Sequence, residues 1–88
     1  MSIPNRDETH GGIEAVGEVS QQIKQAMRDG RNWERLTSAE AEALDMISHK
    51  VGRILSGADS GNPEHWEDVA GYAAAILRLR AGKKEGQP

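Results

Sequence analysis

Apolar residues recur along this chain at intervals of three and four, the signature of amphipathic helices, and strict alternation of the kind a half-buried strand shows is missing. Ile13, Val16, Val19, Ile23, Ala26 and Met27 form a first stripe. It predicts a helix from Gly12 to Asp29, with Gly30 placed to stop it and with the glycines at 11, 12 and 17 weakening its first half. The segment "NWERL", 32–36, is too short for a helix of its own and brings Trp33 and Leu36 to one end of a core. Thr37-Ser-Ala-Glu40 then has the capping-box form, in which hydroxyl and carboxylate each satisfy an orphan amide. A second helix should start there, carry Leu44, Ile47, Val51, Ile54 and Leu55 on one side, and end at Gly57 in the left-handed conformation. After the loop "GADSGN", Asn62-Pro63 reads as cap and first-turn proline, so a third helix should cover Pro63 to Ala81. The expected fold is all-α, a helical hairpin with an N-terminal helix. Residues 1–11 read as a mobile arm, 12–81 as one helical domain, and 82–88 as a disordered polar tail.

Composition narrows the classes of function. With 88 residues the chain makes one small domain, a size that buries little surface alone and favours assembly into an oligomer. It has no cysteine for a disulfide or a thiolate metal site. A formal net charge of −3 lacks the basic excess of a general nucleic-acid or membrane-surface binder. No apolar run approaches the ~20 residues of a membrane span, and no export signal is recognisable at the N-terminus. A cytoplasmic protein is expected.

The third helix carries an unusual stretch, "HWEDVAGYAAAIL", in which Gly71 and Ala75, and Ala70 and Ala74, lie one turn apart. Alanine is a good helix former and needs no further reason, but glycine inside a helix costs roughly 1 kcal/mol relative to alanine. Gly71, Ala74 and Ala75 therefore point to close approach by another helix, either helix two or a second subunit.

Candidate chemistry concentrates on helix two. Asp45, His49 and Arg53 follow one another at intervals of four, with Lys50 beside them. A solvated face of i,i+4 pairs is the commonest meaning of such a pattern. Lys50 and Arg53, however, flank the core residues Val51 and Ile54 and so border the apolar stripe, where cations can line a cleft. On helix three Asp68, near Trp66 and Tyr72, lies at a similar edge. The histidines 10, 49 and 65 lack the pairing on one helix that suggests zinc, "HGG" at 10–12 is too short for a phosphate loop, and Arg78, Arg80, Lys83 and Lys84 read as cations favouring a helix C-terminus.

The string "EALDMISHKVGRILSG......HWEDVAGYA", preceded by Trp33, Leu36 and His10-Gly11, resembles small phage-encoded proteins of unassigned function. Their shared pattern sets a lysine and an arginine three apart in the second helix and Trp-x-Asp-[Ile/Val]-Ala-Gly-Tyr-Ala in the third. These in turn resemble shortened MazG-like all-α nucleotide pyrophosphohydrolases, which assemble from two or more chains. The wider family holds Mg²⁺ with Glu-x-x-Glu and Glu-x-x-Asp. The resemblance places Glu42, Asp45 and Asp68 in that role, with His65 standing where a fourth carboxylate belongs. Magnesium prefers oxygen ligands, and Lys50 and Arg53 add positive charge that suits phosphate better than metal. The expectation that follows is a non-catalytic homo-oligomer that binds a nucleotide-like phosphorylated ligand with no cofactor: Lys50 and Arg53, with His10 or His49, clamp phosphate while Trp66 or Tyr72 stacks on a base. Sequestration of a host defence signal would be its use. The alternatives are a Mg²⁺-dependent hydrolase using Glu42, Asp45 and Asp68, and a protein-interaction adaptor whose contact is the acidic first helix.

Overall fold

The computed structural model describes residues 12–57 and 61–85, with the side chains of 84 and 85 excepted. It is all-helical: α1 (Gly12–Arg28), a 3-10 turn (Trp33–Arg35), α2 (Ser38–Ser56) and α3 (Pro63–Glu85). Among the described residues there is no strand, and no helix is long and apolar enough to cross a membrane. His10 and the rest of the expected N-terminal arm lie outside the described residues.

Local chemistry sets the helix starts. The Thr37 hydroxyl accepts from the Glu40 amide at 3.1 Å, and the Glu40 carboxylate accepts from the Thr37 amide at 3.0 Å, completing the reciprocal box. Asn62 Oδ1 accepts from the Glu64 amide at 2.9 Å and opens α3. The ends differ from expectation in two places. Gly57 closes α2 in an extended conformation, φ −152° and ψ −178°, so the chain leaves the helix straight rather than through a left-handed turn. Helix α3 continues past Ala81 to Glu85, because alanine sustains the helix and Lys83 brings positive charge to its C-terminal dipole.

Helices α1 and α3 each pack on α2, and they do so from opposite sides. Toward α1, α2 presents Asp45, Ser48, Gly52 and Ser56; the Ser48 hydroxyl lies 3.2 Å from Met27 Sδ, and the Ser56 hydroxyl lies 3.2 Å from the Ala15 carbonyl. Toward α3 it presents Glu40, Ala43, Ile47 and Lys50, which meet Ala73, Ile76 and Asp68. The two sets fall half a helical circuit apart. The result is a flat layer of three antiparallel helices rather than a closed bundle, only 18 Å along its shortest axis, against the ~10–12 Å diameter of one helix.

A layer has little interior. Among the described residues the buried apolar side chains are Val16 and Ala43, joined by buried Ser20, Ser48 and His65. Several residues expected in the core are therefore outside it: Ile13 is 74% exposed and Leu55 67%. The α1–α2 seam uses small residues instead. A Cβ at Gly52 would stand 2.9 Å from the Val16 carbonyl oxygen and 3.3 Å from Ser20 Cβ, so this glycine lets the two backbones approach as no other residue could.

Candidate functional site

The layer has two broad surfaces of opposite character, and helical register decides which residues belong to each. On α2, Leu44, Val51 and Leu55 point to one surface, whereas Met46, His49, Lys50 and Arg53 lean toward the other. On α3, Trp66, Ala70, Ala73 and Leu77 share the apolar side, and Asp68, Gly71 and Ala75 turn away from it.

The polar surface holds the charged groups singled out in the sequence. Lys50 Nζ makes an ion pair with Asp68 Oδ2 at 2.9 Å, tying α2 to α3. His49 is half-buried in the same region, and its pKa is lowered from 6.5, first by burial and then by the positive charges of Arg53, Lys24 and Lys50, with a smaller effect of His65. That electrostatic pattern locates Lys24 of α1 beside the α2 cations. Nothing in the sequence of its own helix marks Lys24, which acquires meaning only through the α1–α2 packing. The cations are gathered by two helices, and an imidazole held neutral at pH 7 lies among them as a hydrogen-bonding group that can still take a proton.

The two aromatic candidates separate. Tyr72 is one turn beyond Asp68 on α3 and half-buried, so it borders the cationic surface. Trp66 is 62% exposed and belongs to the stripe that continues through Ala73 and Leu77, on the other side of the layer. A base stacked on Trp66 could not belong to a ligand whose phosphate rests on Lys50 and Arg53.

The carboxylates that the wider resemblance would assign to magnesium are not brought together. Both oxygens of Asp45 accept from Arg28 at the end of α1, at 3.2 and 3.1 Å, and the Arg28 guanidinium also lies 4.7 Å from the centre of the Trp33 ring. Asp68 is engaged by Lys50, and Glu42 is exposed. Among the described residues no group of three or more histidine, cysteine or acidic side chains is placed to hold a metal ion. The spacing of Glu42, Asp45 and Asp68 fits the family pattern, but Asp45 faces α1 and Asp68 faces α3, so packing on both sides of α2 draws them apart.

The sequence marks Gly71 as a point of close helix approach. In this chain a Cβ there would meet nothing within 4 Å, so α2 is not the helix that approaches it. Within this chain the close contact falls instead at Gly52, on a helix whose bulkier apolar residues lie on other faces.

The apolar surface contains a groove of about 340 Å³ between α2 and α3, lined by Leu36, Ala43, Leu44, Ile47, Ala73, Ile76 and Leu77, with Glu40 at its edge. Toward α1 it runs into a second hollow bordered by Met27 and Trp33, and Leu36 and Leu44 line both. Past Glu40, at the far end of α3, Arg80 and Lys83 close the rim. Compared with protein-family models, with curated proteins and with solved structures, the chain matches none.

Proposed function

We propose that this chain is a small helical binding module that holds a nucleotide-like phosphorylated ligand on its polar surface without turning it over. The observation that carries the reading is that half-buried His49, its pKa lowered first by burial, also feels the positive charges of Arg53, Lys24 and Lys50, with Lys50 held between α2 and α3 by its ion pair to Asp68. Charge-assisted hydrogen bonds from such groups are the strong contacts to phosphate oxygens. Tyr72, at the border of the same surface, can carry a base or sugar. Turnover is disfavoured by the separate engagement of Asp45 and Asp68, which removes the carboxylate cluster that a two-metal or one-metal pyrophosphohydrolase needs. The Lys50–Asp68 pair competes with a ligand for the lysine, so phosphate binding should release Asp68. The resemblance to small phage-encoded proteins gives such binding a use, the withdrawal of a nucleotide signal from host defence.

The test is a calorimetric and thermal-shift titration of the full chain with inorganic phosphate, nucleoside triphosphates and cyclic oligonucleotides, with and without Mg²⁺, in which every stabilising compound is recovered and analysed. Metal-independent stabilisation with intact ligand, lost in Lys24→Ala and Arg53→Ala, is the expected result. Release of pyrophosphate in Mg²⁺, or equal binding by both variants, would overturn it.

A further inference from the structure

The groove between α2 and α3 lies on the side of the layer away from the cationic cluster, and its lining is carbon almost throughout. Its floor is shallow because Ala43 and Ala73 are small, and its walls are Leu44, 37% exposed, and Leu77, 67% exposed. Leaving Leu77 largely in water, with Leu44 partly exposed beside it, forfeits apolar burial that a chain this short can replace only poorly. Among the described residues, Val16 and Ala43 are the only buried apolar side chains to set against that loss.

We infer that a second copy of this chain covers the groove, forming an isologous dimer whose two-fold axis runs along the groove parallel to the helices, so that α2 of each copy lies over α3 of the other. Charge placement favours a like partner. Glu40 of α2 and Arg80 and Lys83 of α3 line the same hollow at one end of the groove, so they stand at one level on opposite rims. Rotation about an axis along the groove exchanges the rims, bringing each Glu40 over Arg80 of the second copy, and in the same way Leu44 over Leu77. A self-complementary patch of this kind is what a two-fold interface requires. The extent is that of a small interface: with the axis along the groove only α2 and α3 of each copy are covered, a face roughly 28 Å long and 20 Å wide, or about 1,100 Å² over both partners, which clears the ~1,000 Å² of a specific contact. The inference does not depend on the ligand reading, because the cationic surfaces of both copies stay outside.

Sedimentation equilibrium of the full chain over a broad concentration range reads the outcome. Wild type should sediment at twice the 9.6 kDa chain mass. Leu77→Glu should sediment as a monomer with its helical circular dichroism retained, since the side chain is largely exposed within one chain. Glu40→Gln, which preserves the capping box, should weaken the dimer several-fold and reduce its salt dependence. Gly71→Leu, on the other surface, should leave the mass unchanged. The chain has no cysteine of its own, so mixing Leu44→Cys chains with Leu77→Cys chains under oxidation should give the mixed disulfide in preference to either homodimer. A wild-type monomer overturns the inference and leaves the groove to a different protein. A dimer that tolerates Leu77→Glu, is lost in Gly71→Leu, or gives no mixed disulfide places the contact elsewhere and overturns it as well.

Discussion

The position that a Cβ would take on Gly52 is 2.9 Å from the carbonyl oxygen of Val16. Real side chains do not occupy such a distance, and the obstructing atom is backbone, so it can yield only if α1 moves. Gly52→Ala should therefore destabilise the chain by about 1–3 kcal/mol, although alanine is the better helix former. Gly71→Ala, at a position open to solvent, should stabilise it by about 0.4–1 kcal/mol. Urea denaturation of the two variants at one protein concentration checks the contrast; equal signs would mean that α1 and α2 are not in contact at this crossing.

Ser20 sits at the same crossing, 2% exposed, and its hydroxyl has no hydrogen-bond partner among the described residues. A buried hydroxyl without a partner carries its desolvation cost uncompensated. Ser20→Ala should raise the unfolding free energy by about 1 kcal/mol, read as an increase in the urea midpoint with an unchanged slope.

His49 gives the pH dependence a direction. Its folded pKa lies below 6.5, so the unfolded chain binds the proton more readily. Neutral His49 contributes no penalty above about pH 6.5, and stability declines as the pH falls from there toward the depressed folded value. His49→Gln should flatten that decline in thermal melts between neutral and mildly acidic pH. A phosphorylated ligand reverses the trend, because an anion beside His49 favours its protonated form. Affinity for phosphate should therefore rise as pH falls over the same interval in wild type and not in His49→Gln.

The bidentate Arg28–Asp45 pair joins the end of α1 to α2, and the guanidinium also lies over Trp33. Arg28 is 43% exposed on its side chain, so solvent screens the pair and its contribution stays near or below 1 kcal/mol. Asp45→Asn should lower the melting temperature slightly and leave any catalysis-independent ligand binding intact. Loss of binding in that variant would return Asp45 to the site and revive a metal-dependent reading.

Thr37→Ala removes one half of the capping box and should cost about 1 kcal/mol. Its effect should appear as lower protection of amides 38–41 against hydrogen exchange, ahead of any global loss.

These outcomes separate what was legible in the sequence from what was not. Helix starts are written in a few adjacent atoms, which is why Thr37 with Glu40 and Asn62 with Pro63 could be read directly. The α1–α2 seam could not be read from hydrophobicity, because its residues on α2, Ser48, Gly52 and Ser56, are polar or bare. Their four-residue spacing, matched by Val16 and Ser20, is the signal that would have found it. Helix wheels put Lys50 and Arg53 on one side of α2, whereas Lys24 joins them only through packing. Trp66 and Asp68 are near in sequence and about half a circuit apart around α3, so sequence proximity alone grouped two residues that the fold divides.

The thinness of the layer, 18 Å, bears finally on how the chain comes apart. Much of its backbone is one side chain away from water, and brief fraying of the helix ends exposes the amides of the outer turns. The Val16–Gly52 crossing is different, since two backbones there shield each other and cannot part unless α1 leaves α2. The slowest hydrogen exchange in the isolated chain should thus be confined to a few amides around that crossing, marking it as the place where local opening and complete unfolding become the same event.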